Sequence, residues 1–385
     1  MSVRKRTWTN AKCEAKEAWI VDYVDQEGRR HIETFARKKD ADARHAAVKV
    51  DVAKGIHTPA SRSITVTAAA TDWITYVELE GRERSTVAQY RAHVVHHIVP
   101  RIGAEKLATL TTPRVNAFRD ELLRDLSRVM AKKVMVSLKS ILKDAKRRGN
   151  VAQNVATDVS IAPDKRGRRK LEIGTDIPTP DEISRILAAA AGRWRPFLIT
   201  AIFTGLRASE LRGLRWVDVD LKAGELNVRQ RADRYNTIGP PKSKSSKRTI
   251  PIGPFVVNTL REWQLACPHE LAFPNGAGNL ERHENIIVRA LHPVQIVAGV
   301  TVLKPGKDGK PVTWAKYTGL HALRHFYASW CINRKKDGGL ELPAKMVQER
   351  LGHASIVITF DIYGHLFPRT DDGSELAAAE QRLLR

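Results

Sequence analysis

Cysteine is scarce. The 385 residues contain three, Cys13, Cys267 and Cys331, too widely spaced for a disulfide scaffold or a CxxC metal pair. No apolar run approaches the ~20 residues that span a bilayer. The opening "MSVRKRTWTN" lacks the apolar stretch of a signal peptide, so no membrane partner and a cytoplasmic setting in a bacterial host are expected. No internal repeat is visible, which excludes a solenoid or propeller. Acidic residues are outnumbered: 42 Asp and Glu stand against 65 Lys and Arg, a formal net charge of +23. That balance favours a polyanionic partner, and nucleic acid is the commonest for a basic globular chain.

What is present is enough apolar material, 42% of residues, to fold two or three domains. Three blocks appear. In "AWIVDYVDQEGRRHIETF", Trp19, Val21 and Tyr23 alternate onto one face before a turn at Gly28 and a second strand with Ile32. A helical stripe of Ala41, His45, Val48 and Val52 follows. This small α+β module, residues 1–58, carries Arg4, Lys5 and Arg6 at its front. Residues 64–160 read as all helix. The stripes run Trp73–Val77, Val87–Tyr90–Val94–Ile98, Val115–Phe118–Leu122 and Val134–Leu138–Ile141–Ala145. Thr112-Pro113 is expected to open the third of these helices, and Gly149 to cap the fourth. A basic connector, 161–174, bears Arg166, Arg168 and Arg169. The block 175–385 opens on a capping box, Thr179 to Glu182, mixes helices with a hairpin region (225–252), and ends in an amphipathic tail.

The stretch "TGLRASELRGLRW" poses a question, because Arg207, Arg212 and Arg215 share one short run. Thr204-Gly205 ends a helix, so Arg207 falls at the start of the next one, where free N–H groups and the helix dipole favour a phosphate. Three further stretches narrow the chemistry: "PPKSKSSKRTIPI" (240–252), "HALRHFYASW" (321–330) and "RLGHASIVITFDIYGHLFP" (350–368).

Taken together and in order, these motifs resemble those of the tyrosine recombinase family, the lambda-type phage integrases. The family shows an Arg in a TGLRxxEL box, a hairpin Lys before R-x-I-P, H-x-L-R-H, LGH, and a Tyr about ten residues later. The resemblance covers residues 175–368. It implies a mainly α multidomain protein with small β elements: an arm-binding module, a helical (SAM-like) core-binding domain, and a mixed catalytic domain. The two larger domains would clamp duplex DNA.

The resemblance implies Tyr363 as nucleophile, forming a 3′-phosphotyrosine, with Arg207 and Arg324 around the scissile phosphate. His321 and His353 would donate to that phosphate or shuttle a proton. Lys242 would protonate the leaving 5′-oxygen, with Lys244 as the alternative. DNA contacts are expected from Arg4, Lys5, Arg6, Arg166, Arg168, Arg169 and Lys244. No metal or cofactor is implied, fixed cations serving in place of Mg²⁺. His325 and His365 are expected to serve structure or phosphate contact, and Glu210 to orient its neighbours. The segment 301–320 is expected to be a loop or hairpin near DNA.

By the same resemblance the protein integrates a phage or mobile-element genome through a Holliday junction. It would act as a homotetramer on core and arm sites, with a host DNA-bending protein and an excisionase as possible helpers. The rivals are a type IB topoisomerase, a catalytically dead architectural DNA-binding protein, and a Xer-type resolvase.

Overall fold

The computed structural model describes residues 2–9, 15–25, 28–53, 63–162, 169–306, 308–368 and 373–384. The chain divides into two compact units, Met1–Gly167 and Arg168–Arg385.

The first unit begins with an antiparallel sheet, β1 (Ser2–Thr9), β2 (Ala15–Val24) and β3 (Arg30–Phe35), in that spatial order. Helix α1 (Lys38–Ala53) covers one face, burying Ala41 and Val48 against Val21 and Tyr23. Strand alternation sends Arg4 and Arg6 to the open face. Lys5 points to the other side, opposite Trp19, and pairs with Glu17 at 2.7 Å. The three basic residues at the front therefore do not act as one cluster.

A separate core gathers the helical block: α2 (Val66–Leu79), α3 (Arg84–His93), α4 (Val99–Ile102), α5 (Thr112–Asp125) and α6 (Arg128–Arg147). A π turn, Val94–Ile98, joins α3 to α4. The stripes read from the sequence are buried, from Trp73 and Val77 through Phe118 and Leu122 to Leu138 and Ile141. The cap of α5 lies one residue earlier than expected. Thr111 is extended and its side chain accepts from the Arg114 N–H at 3.3 Å, leaving Thr112 and Pro113 inside the first turn. Gly149 has φ 76°, the left-handed conformation expected past the end of α6.

The second unit starts with α7 (Pro180–Ala189), whose capping box between Thr179 and Glu182 forms as expected. Then come α8 (Trp194–Thr204) and α9 (Ala208–Arg212). The region expected as one hairpin is instead two sheets. Strands β4 (Val219–Asp220), β5 (Glu225–Val228) and β8 (Arg248–Pro251) form one, and β6 (Arg231–Ala232) with β7 (Ile238–Gly239) the other. Lys242 consequently stands in the exposed connection from β7 to β8 rather than on a strand. Pro240 and Pro241 supply no N–H groups to extend the ladder through it.

Helices α10 (Pro254–Ala266), α11 (His283–Ile286) and α12 (His292–Val297) complete the outer wall. The segment before His321 is a hairpin, β9 (Thr301–Pro305) with β10 (Pro311–Ala315). Buried α13 (His321–Ile332) runs through the middle. It is followed by α14 (Ala344–Leu351), α15 (Ile356–Tyr363) and the tail helix α16 (Gly373–Leu383), on which Leu376 and Leu383 are exposed.

Candidate active site

Gly205 ends α8 at φ 59°, a conformation open to glycine, and a Cβ there would collide with the Tyr327 ring. The sharp turn puts Arg207 at the cap of α9. Its backbone N–H is not free for a phosphate, because the Glu210 carboxylate accepts it at 2.9 Å. The guanidinium supplies the anion-binding capacity instead. The other two arginines of the run answer the question raised by the sequence. Arg212 is buried and ties down the carbonyls of Glu281 (2.6 Å) and Asp233 (2.9 Å). Arg215 pairs with Asp218 at 2.8 Å.

Three guanidinium groups converge on one turn of backbone. Helix α14 ends in the left-handed Gly352, and its last carbonyls have no partners within the helix. Arg248 Nε donates to Arg350 O at 2.7 Å, and Arg324 Nη2 to Leu351 O at 2.5 Å. Arg207 Nη2 donates to Gly352 O at 3.1 Å. Arg324 also donates to Gly205 O at 2.5 Å, linking this turn to the one that precedes Arg207. The negative end of a helix dipole thus meets three cations.

Their charges are unevenly balanced. Glu210, buried, takes Arg207 at 2.8 Å and a two-pronged contact from Arg248, whose Nη2 lies 2.9 Å away. Burial alone would raise its pKa. The Arg248 hydrogen bond and the charges of Arg248 and Arg207 outweigh it and bring the carboxyl down to about 2. Arg324 is 3% exposed and, among the described residues, has no carboxylate in hydrogen-bond contact. Burial and the neighbouring Arg207 push its pKa down. A desolvated cation next to a second cation makes a site that an incoming anion stabilises.

Tyr363 closes the last turn of α15, 1% exposed. Its hydroxyl meets His325 Nδ1 at 2.7 Å, and the His353 ring lies parallel to the phenol at 6.3 Å. Burial lifts the phenol to about 12, against the pull of Arg324 and Arg207. His353 is buried with Nδ1 at 3.0 Å from Thr359 Oγ1. Burial and then the surrounding arginines lower its pKa to about 4. His321 is exposed at the start of α13. Even so, partial desolvation and the charges of Arg324 and Arg207 lower its pKa.

Five of the six residues implied by the family resemblance, Arg207, His321, Arg324, His353 and Tyr363, thus interact in one site, each through the contacts or charges just described. Lys242 is exposed in the loop ahead of β8. Ser243 bonds Ser246 at 2.9 Å, and Ser246 Oγ lies 3.5 Å from Arg207, so its loop is anchored to the site. Arg166, Arg168 and the Lys244 side chain fall outside the described residues. Arg169 is exposed and pairs with Asp176 at 3.1 Å. His365 holds Leu171 O at 2.7 Å, a structural contact.

Three side chains of this geometry carry little signal in the sequence. Arg248 was visible only as the Arg of R-x-I-P. His325, expected to serve structure or phosphate contact, meets the phenol directly. Thr359 carried no signal at all.

Residues 178–369 match the phage integrase family. Over 347 residues the chain is 26% identical to a XerC-like tyrosine recombinase of Caldanaerobacter subterraneus, covering 86% of this chain and 87% of the relative. It is 23% identical to the ICEBs1 integrase of Bacillus subtilis over 320 residues, covering 80% and 81%. In fold it is similar to the Tn1549 transposon integrase solved with transposon right end DNA, at TM-score 0.61 and 18% identity over 84% of this chain and all of that one. It is also similar to a lambda integrase tetramer solved on a Holliday junction, at TM-score 0.55 and 17% identity over 91% and 95%. With its motifs in order over that matched stretch, and their side chains gathered around one turn, the chain belongs to the phage integrase family of tyrosine recombinases, enzymes that break and rejoin DNA.

Proposed function

We propose that this chain is a site-specific integrase of a phage or mobile element, which exchanges DNA strands through a 3′-phosphotyrosine and a Holliday junction. The observation that carries the reading is the pair Arg207 and Arg324. They are held on adjacent carbonyls of one turn, with no carboxylate on Arg324 among the described residues and the Tyr363 phenol in the same site.

The roles follow from charge and reach. A phosphodiester gains negative charge on its nonbridging oxygens as it is attacked, and the two guanidinium groups meet that charge with paired donors. His353 Nδ1 lies 3.0 Å from Thr359 Oγ1, and in the tautomer where the threonine hydroxyl donates to it, Nε2 carries the proton and acts as a phosphate donor. His321, exposed on the first turn of α13, is a second donor. Tyr363 attacks phosphorus, and Lys242 protonates the departing 5′-oxygen.

Arg4 and Arg6 on the open sheet face serve arm-type sites, and the helical block with the catalytic unit serves the core site. Four copies assemble on paired sites, with the exposed leucines of α16 docking on a neighbouring copy. A host bending protein and an excisionase would act on the DNA and on direction.

The test starts from duplexes enriched out of a random-sequence library by the Tyr363→Phe protein and remade with a nick beside the scissile position. The unmodified chain is expected to form a protease-sensitive covalent complex on them and Tyr363→Phe none. An adduct with the phenylalanine variant would move the nucleophile elsewhere. Relaxation of plasmids lacking such sites would favour the topoisomerase reading. Removing residues 374–385 is expected to weaken synapsis and spare binding.

A further inference from the structure

Two imidazoles meet the Tyr363 phenol, His325 and His353, and they meet it differently, while a third, His321, packs on the first of them. The His353 ring is parallel to the phenol within 7°, so it offers its face, and its Nδ1 is already engaged by Thr359. His321, itself exposed, touches the His325 ring edge-on, centroids 5.2 Å apart. His325, one helical turn on from His321, directs an in-plane nitrogen at the hydroxyl, Nδ1 to Oη 2.7 Å. The two rings are steeply inclined, at 63°.

We infer that His325 is a further catalytic residue, the base that takes the phenolic proton as Tyr363 attacks phosphorus. The assignment rests on the reading of Tyr363 as nucleophile. In the step, a lone pair of the phenolic oxygen forms the new P–O bond, and the P–O5′ electron pair leaves with the 5′-oxygen. The phenolic proton passes to His325 Nδ1, and the 5′-oxygen takes one from Lys242. In rejoining, both protons return, so the enzyme ends as it began.

The surroundings suit this timing. His325 faces Arg324 and His321 on its own helix, Tyr363 on α15, and Asp176 ahead of α7. Burial, with the charges of His321 and Arg324, holds its pKa near 4 against the opposing pull of Asp176. A neutral imidazole is therefore ready to accept, while the phenol near 12 keeps its proton until attack begins. Once the oxygen bonds to phosphorus it becomes far more acidic than imidazolium, and transfer accompanies bond formation. A phosphate at Arg207 and Arg324 also offsets the charge that suppresses His325.

The nicked duplexes described above test this. His325→Ala is expected to slow adduct formation about 100-fold near neutral pH. Its rate should climb about tenfold per pH unit toward alkaline pH, as solvent replaces the base, while the unmodified rate stays flat. His325→Asn keeps an acceptor near the Nδ1 position without its basicity and should behave alike; binding of both variants to the duplex checks their folding. Sulfur at the bridging 5′ position gives a leaving group that needs no proton. It should rescue Lys242→Ala and leave His325→Ala slow. Unimpaired cleavage by the His325 variants, a deficit independent of pH, or rescue by sulfur would each overturn the assignment. An adduct with Tyr363→Phe, or none with the unmodified chain on DNA it binds, would instead defeat the reading beneath it.

Discussion

At the scale of single residues, Glu210 decides whether two of the arginines can stay where they are. It compensates Arg207 and Arg248 from inside the protein, so neutralising it leaves buried positive charge unmatched. Glu210→Gln is expected to lower unfolding free energy by about 3 kcal/mol, read as a drop in urea midpoint. The pH dependence has a defined sign. A carboxyl depressed to about 2 in the folded state contributes its full stability above the ordinary carboxylate pKa and loses it as the solution is acidified toward 2. Glu210→Gln should flatten that part of the stability curve. Arg324 is a case of geometry rather than charge. Its fork spans Gly205 O and Leu351 O, which one ammonium cannot bridge. Arg324→Lys is expected to bind DNA while forming the covalent complex about 100-fold more slowly. A lysine variant with the unmodified rate would show that charge alone suffices.

At the scale of elements, the end of α14 is set by glycine. Gly352 has φ 63°, and a Cβ would lie 2.9 Å from Arg248 Nη1. Gly352→Ala is expected to cost about 2 kcal/mol and to disturb all three arginines, seen as a lower melting temperature together with lost adduct. Thr111→Ala, which removes the cap of α5 in the helical block, should cost about 1 kcal/mol and leave cleavage by the catalytic unit untouched. The contrast shows what the sequence makes legible. Helix cores such as Val115, Phe118 and Leu122 announce themselves through period, and the capping box at Thr179 through a three-residue spacing. The arginine contacts of α14 bridge 102, 27 and 145 residues, and no local pattern encodes them. The contact of His325 with Tyr363 is hidden for the same reason: the two lie 38 residues apart, and only the packing of α13 on α15 reveals it. The hairpin region expected over 225–252 forms two sheets, and the pair Pro240-Pro241 stops the ladder ahead of Lys242.

For the whole molecule, the net charge of +23 sets how binding responds to salt. If six or more phosphates are contacted, affinity should fall about 10³-fold or more between 50 and 200 mM salt, and a shallow slope would argue against an extended DNA interface. Acid should loosen both units, for a shared reason. His93 in the helical block is buried against Ser137 at 2.8 Å, and its pKa is lowered by burial. His321, His325 and His353 are lowered in the catalytic unit. Groups kept neutral by folding contribute stability above the unfolded histidine value near 6.5, and that contribution drains away as pH falls toward their folded values. Urea midpoints measured at mildly alkaline pH and at about pH 5 should therefore decline in both units, and an increase on acidification would contradict the burial described here. The catalytic centre itself answers to a stricter logic. Its three cationic side chains donate to consecutive peptide groups, so they share one support. Unravelling that single stretch of main chain would remove one anchor from each of them at once, so damage to the turn reaches all three together.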